Sequence, residues 1–114
     1  MLLEDYIKKI KTEPKSIVFD DTLAVIEENY HFKETEFSNG DQINQAGENS
    51  GSCKVFAFAT LQKLCKEDTL SLFAQYYFND VLNNPDGSDH QNIRQFIIHG
   101  FDGIDFKGEA LTEK

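Results

Sequence analysis

Apolar residues recur at helical spacing over most of the chain, starting with the segment Leu3–Ile10. This first helix should end before Pro14, because a proline restricts the backbone of the residue that precedes it. Asp20 is a candidate N-cap for a second helix, whose apolar stripe extends to Tyr30. The amino-terminal quarter therefore predicts two amphipathic helices.

The middle of the chain predicts one extended segment followed by two helices. Residues 32–37 are expected to be extended and to end at the turn dipeptide Asn39-Gly40, and residues 41–52 form a polar loop. A third helix should begin near Ser52, and its inward side should carry Val55, Phe58 and Leu61. The fourth helix is expected to run from about Lys66 to Val81 and to be apolar on two sides, which indicates a central position.

The last third of the sequence predicts a turn, a fifth helix and a second short strand. Asn84-Pro85-Asp86-Gly87 fits a type I turn, and Ser88 and Gln91 have the spacing of a capping box for the helix that follows. Gly100 supplies the end of that helix. The alternating segment Ile104–Phe106 is expected to pair with the earlier extended segment.

Together these elements predict an α+β fold in one small domain, residues 1–114, with about five helices and a short two- or three-stranded sheet. Ten Phe and four Tyr provide enough apolar area for one core. Eleven basic and 20 acidic residues give a net charge of −9, which repels nucleic-acid phosphates and anionic lipids. Neither nucleic acid nor a membrane is therefore expected as a partner.

The cysteines and the first residues of the chain indicate the cellular compartment. Cys53 and Cys65 fit neither a secreted disulfide framework nor a zinc site, so free thiols in a reducing compartment are expected. Residues 1–5 show no basic segment with a following apolar run. No run of about 18 apolar residues predicts a membrane span. These features favour a cytoplasmic protein.

Several blocks resemble the HopJ family of bacterial proteins, and the resemblance extends over nearly the whole chain. The blocks are Asp21–Ile26, Phe37–Gly40, Ala46–Lys54, Phe56–Ala59, Asp80–Leu82, Asp89–Arg94 and Gly100–Gly108. Phe78 and Phe101 depart from the family's pattern, which has arginine and tryptophan there. The resemblance implies no biochemical activity. The resemblance implies a bacterial source. Because some members are called type III effectors, it also implies export by a type III system as the alternative to the cytoplasm. Glu4 and Asp5 are atypical of such export signals.

The segment Ser50-Gly51-Ser52-Cys53-Lys54 resembles the element in which papain-like proteases place their nucleophile at the start of a helix. A helix N-terminus and Lys54 would lower the pKa of the Cys53 thiol, and His90 and Asn92 follow in the order Cys, His, Asn. Cys53 and His90 are, however, much closer in sequence than in that family. We therefore expect a structural thiol and claim no catalytic residue. A hydrolase or transferase that uses Cys53 with His90 is the alternative.

The blocks Asn49–Lys54 and Asp89–Arg94 each begin a predicted helix, so both offer free N–H groups and the positive end of a helix dipole. We expect the two blocks to meet, with positive charge from Lys54 and Arg94, and to bind an anion or a carboxylate-bearing peptide. The candidate binding residues are Asn49, Ser52, Cys53, Lys54, Asp89, His90, Asn92 and Arg94. In the competing interpretation, Arg94 pairs with an acid and Ser88 or Asp89 caps the helix.

No motif indicates a cofactor or a metal. The chain has no phosphate loop, dinucleotide fingerprint or nucleophile elbow, and its three histidines lack metal-ligand spacing. The amide-rich loop Asn44–Asn49 either orients a ligand or satisfies its own backbone. The leading hypothesis is a non-enzymatic binding module whose partner is an unknown protein, a peptide or a small anion.

Overall fold

Six helices and five short strands form within residues 2–114, the range that the computed structural model describes. The helices are α1 (Leu3–Thr12), α2 (Phe19–Asn29), α3 (Ser50–Gln62), α4 (Lys66–Ser71), a π-helix (Tyr76–Val81) and α5 (Gln91–His99). The strands are β1 (Tyr30–Phe32), β2 (Phe37–Asn39), β3 (Gln42–Asn44), β4 (Ile104–Phe106) and β5 (Leu111–Glu113). Antiparallel β1 and β5 form one sheet, and the other has the order β3-β2-β4. The predicted α+β class is confirmed.

Helix α3 is the centre of the core. Residues 55–59 of this helix are all buried, and the Phe56 ring lies 5.4 Å from Phe73, 5.0 Å from Phe96 and 6.1 Å from Phe37 between ring centroids. These contacts join α3 to α5, to β2 and to the segment after α4. Leu61, which the periodicity assigned to the inward side, is 51% exposed because α3 ends one residue later, at the edge of the core.

The extended segment predicted for residues 32–37 is divided between the two sheets. Strand β1 ends at Phe32 and pairs with β5, whereas β2 begins at Phe37, which lies opposite Phe106 of β4. The expected pairing with Ile104–Phe106 therefore forms through β2. The stretch after it was predicted to be a loop, but it contains β3, because Gly40 adopts the left-handed conformation (φ +58°) that a tight hairpin turn requires.

The predicted fourth helix is interrupted after Ser71. The hydroxyl of Thr22 in α2 donates to the backbone oxygen of Leu72 at 2.8 Å, and the N–H of Tyr76 bonds to Phe73 instead of Leu72. Ala74 then takes a left-handed conformation, and the chain continues as the π-helix. A tertiary hydrogen bond thus competes with the helical pattern, which explains why apolar periodicity alone missed the break.

Two helix starts also differ from prediction. α2 begins at Phe19, before the expected Asp20 cap, and α5 begins at Gln91, so Ser88 caps nothing. The Gln91 side chain donates to the Ser88 backbone oxygen, which replaces the expected capping box. The predicted stops at Thr12 and Gly100 are confirmed. No helix within residues 2–114 has the length and apolar character needed to cross a bilayer.

Candidate functional site

A cleft of about 420 Å³ lies where the first turns of α3 and α5 approach the start of α2 and the π-helix. The residues that line it are Phe19, Gln42, Asn49, Gly51, Ser52, Phe73, Tyr76, His90, Gln91, Asn92 and Ile93. None of these is Lys, Arg, Asp or Glu. The volume is within the range of small-ligand sites in proteins. Of the eight candidate binding residues, Asn49, Ser52, His90 and Asn92 line this cleft.

Both helices start from a residue in the left-handed conformation. Asn49 (φ 51°, ψ 46°) precedes α3, and His90 (φ 50°, ψ 48°) precedes α5. Neither side chain caps its helix. A left-handed residue followed by helical residues turns successive N–H groups toward one side, which is the geometry of an anion-binding nest. Such a conformation costs about 1–2 kcal/mol in a residue with a side chain, and strain of this kind clusters at functional sites.

Aromatic rings form another part of the cleft lining, the aromatic wall. The Phe19 ring stacks on Phe73 at 6.0 Å and meets the Tyr76 ring edge-on at 5.2 Å, and Tyr76 lies 5.2 Å from the imidazole of His90. Phe19 and Tyr76 are half-buried, so part of each ring faces solvent. The Phe19 N–H donates to the side chain of Gln75 at 2.9 Å, which fixes the start of α2 against the π-helix. The cleft therefore has one apolar wall and one polar wall.

A cluster of buried asparagines lies behind the polar wall. The side chains of Asn44 and Asn92 exchange two hydrogen bonds, at 3.1 and 2.9 Å, and Asn39 donates to the backbone and side-chain oxygens of Asn92 at 2.7 and 3.2 Å. Asn49 donates to the side-chain oxygen of Asn44 at 2.7 Å. Asn39 and Asn44 are fully buried and Asn92 is 5% exposed. This asparagine cluster connects β2, β3, the start of α3 and the first turn of α5.

His90 is held in place by the π-helix. Its Nε2 lies 3.0 Å from a carboxylate oxygen of Asp80 and 3.8 Å from one of Asp89. The ring packs against Tyr76 on the same π-helix. Asp80 therefore orients the imidazole at the rim of the cleft, a role that no sequence pattern indicated.

Arg94 and Asp89 have structural roles outside the cleft. The guanidinium of Arg94 donates to the backbone oxygens of Asn84, Pro85 and Asp89 and to the Asp89 carboxylate at 2.6 Å. The hydrogen bond from Arg94 holds the pKa of the Asp89 carboxyl below its ordinary value. Arg94 does not line the cleft, and its guanidinium is bonded to the loop before α5. Its donors secure this loop, as the competing interpretation proposed, although neither Ser88 nor Asp89 caps the helix.

Lys54 also lies away from the cleft. Its Nζ is 3.1 Å from a carboxylate oxygen of Glu27 and 4.8 Å from the centre of the Phe32 ring. Residues two positions apart on an α-helix point about 200° from each other, so Lys54 is directed toward α2 and β1 whereas Ser52 lines the cleft. Lys54 is thus not part of the cleft lining, where backbone N–H groups and helix dipoles provide positive potential.

Cys53 is buried in the core and does not line the cleft. Its side chain is 1% exposed, and the thiol donates to the backbone oxygen of Thr35 at 3.7 Å. Burial raises the pKa of the Cys53 thiol, and the smaller opposing effects of the Thr35 hydrogen bond and the Lys54 charge do not reverse this. His90 forms its polar contacts with Asp80 and Asp89 instead. The geometry gives no support to a Cys53 nucleophile activated by His90.

The sequence did not identify Phe19, Gln42 and Tyr76 as parts of the site. From the sequence, Phe19 is expected in a short extended segment before the second helix, Tyr76 on the second apolar face of the fourth helix, and Gln42 in a loop. Only the tertiary approach of α2, β3 and the π-helix brings them together. No group of three or more His, Cys, Asp or Glu side chains within residues 2–114 is arranged to hold a metal ion.

The fold is that of a small α+β protein, and the cleft is lined by polar and aromatic residues. The model of the HopJ type III effector protein family matches residues 3–111, and the chain belongs to that family. It is also similar to the crystal structure of the unknown function protein VPA0580, with 47% sequence identity and a TM-score of 0.97, over 100% of this chain and 95% of that one. No curated protein gives a significant match.

The burial of Cys53 predicts slow alkylation in the native state. With iodoacetamide near pH 7.5, Cys53 should react at least about a hundredfold more slowly than the exposed Cys65, because reaction requires local opening and a thiolate. Mass spectrometry of a Cys65→Ser variant isolates the Cys53 rate, and denaturant should remove the difference. Rapid native labelling of Cys53 that slows in a His90→Ala variant would support the reactive-thiol alternative.

Proposed function

We propose that this HopJ-family protein is a non-enzymatic binding module, and that a peptide or a small anion binds in the cleft between the first turns of α3 and α5. The observation that carries the proposal is that both helix starts line one cleft. Each start has N–H groups without an intrahelical acceptor, and each dipole places positive potential there. Two such ends at one cleft favour a ligand with hydrogen-bond acceptors.

The asparagine cluster supports this proposal because it makes the polar wall rigid. Asn44 and Asn92 are tied to each other and to neighbouring elements, so their amides do not need to be ordered when a ligand binds. Preorganisation of this kind lowers the entropic cost of binding. The side chains of Gln91 and Ser52 lie nearer to solvent and are placed to contact a ligand.

The lining also limits the charge of the ligand. No Lys or Arg faces the cleft, and the protein carries a net charge of −9. Helix dipoles at partly exposed sites contribute about 0.3–1 kcal/mol each, far less than a cluster of cationic side chains would. A ligand with several negative charges is therefore disfavoured, and an anion of low charge or a peptide end fits better.

Location is a second part of the proposal. We infer that the protein acts in the bacterial cytoplasm, since Cys53 and Cys65 are both free thiols. The family's description as a type III effector supports the alternative, in which a secretion apparatus exports the protein. The two locations imply different partners for the same cleft.

Amide chemical-shift mapping tests the binding function. The protein should be titrated with a mixed set of carboxylates, amides, phosphates and short peptides, and the shifts should cluster at residues 50–52 and 91–92. A Tyr76→Ala variant should bind at least about tenfold more weakly, because it removes an aromatic surface of the cleft. Tyr77→Ala is the matched control, since the adjacent tyrosine does not line the cleft. Shifts elsewhere, or no shifts with any of the probes, would contradict the proposed site.

Fractionation of the native bacterium tests the location. An antibody against the protein should detect most of it in the cytoplasmic fraction, together with a known cytoplasmic marker. Deletion of the secretion apparatus should leave that distribution unchanged. Recovery of most of the protein from the medium, lost when the apparatus is deleted, would establish the exported alternative.

A further inference from the structure

We propose that the ligand of this cleft carries one planar ring and one carboxylate, an inference that rests on the proposed binding function. The shared chemistry belongs to small aromatic acids and to peptides that end in an aromatic residue. The cleft has the two walls that such a ligand needs, and its volume of about 420 Å³ accommodates both groups at once.

The aromatic wall selects for the ring. Phe19, Tyr76 and His90 form a continuous series of contacts, with centroid separations of 5.2 Å for each neighbouring pair. Asp80 fixes the His90 end of this series through the contact at 3.0 Å. Rings held in this way expose preordered faces and edges to the cleft, and aromatic pairs contribute beyond the area that they bury.

Gly51 shapes the cleft beside that wall. A Cβ atom at position 51 would lie 3.2 Å from Cζ of Phe19, which is closer than an ordinary van der Waals contact. Any side chain here would push the Phe19 ring and fill the space in front of it. The absence of a side chain therefore lets the Phe19 ring lie directly against the first turn of α3.

The polar wall selects for a single carboxylate. It consists of the first turns of α3 and α5, whose N–H groups lack intrahelical acceptors, and the side chain of Ser52. Charge-assisted hydrogen bonds to a carboxylate are about twice as strong as neutral ones. Without a cationic side chain in the lining, nothing balances a second negative charge, so a phosphate monoester fits less well.

A set of matched probes tests both groups of the ligand. N-acetylphenylalanine should bind in the cleft of the purified protein, as measured by amide chemical shifts at residues 50–52 and 91–92. N-acetylphenylalanine amide lacks the carboxylate, acetate lacks the ring and phenyl phosphate carries a second charge. Each should bind at least about tenfold more weakly. A Gly51→Ala variant should lose about tenfold in affinity, and Gly108→Ala should not, because a Cβ at 108 meets only an ordinary contact at 3.6 Å.

The outcomes separate this inference from the binding function itself. Equal affinity for N-acetylphenylalanine and its amide would show that the ligand does not need a carboxylate. Equal affinity for acetate would show that it does not need a ring. Tighter binding of phenyl phosphate would contradict the claim that the ligand carries a single negative charge. If N-acetylphenylalanine leaves the cleft amides unmoved while a different probe class shifts them, the ligand class is wrong and the binding function stands. A Gly-Gly-Phe peptide that binds about tenfold more tightly than N-acetylphenylalanine supports a peptide end as the natural source, and equal or weaker binding supports a free acid.

Discussion

The asparagine cluster is the interaction on which the cleft depends. Asn39, Asn44 and Asn92 come from two strands and a helix, and their amides meet in the interior. A buried amide without a partner costs about 1–3 kcal/mol, so each member requires the others to be in place. Asn39 Oδ1 is the one buried side-chain polar atom within residues 2–114 that has no hydrogen-bond partner. The cluster therefore determines how the two strands and α5 are positioned relative to one another, even where it contributes little net stability.

The asparagine cluster determines where the first turns of α3 and α5 lie. Asn49 continues the cluster to α3 through its bond with Asn44, and Asn92 lies in the first turn of α5. Contacts hold the left-handed conformations of both Asn49 and His90. Asn49 bonds to Asn44, His90 contacts Asp80, and Arg94 bonds to the loop that precedes His90. A strained backbone persists where its surroundings determine it in this way. The polar wall of the cleft follows directly from these constraints.

Local chemistry explains what the sequence predicted well. The proline after Thr12, the Asn-Gly turn and Gly100 act through the backbone of one or two residues, so their effects do not depend on the rest of the fold. The aromatic residues also predicted one core. The break after Ser71 depends on Thr22, which is distant in sequence, and the cleft depends on residues from five elements. The sequence also did not predict which side chains of the first turn of α3 line the cleft. Lys54 and Ser52 are two residues apart, and of these two Ser52 lines the cleft.

A double-mutant cycle between Asn44 and Asn92 tests the central role of the cluster most directly. Urea unfolding of Asn44→Ala, Asn92→Ala and the double variant gives the coupling free energy between the two amides. The account predicts that each single change lowers the free energy of unfolding by about 1–3 kcal/mol, and that the double variant loses less than the sum by about 0.5–3 kcal/mol. Additive losses, or single changes no larger than that of the exposed control Asn79→Ala, would contradict it.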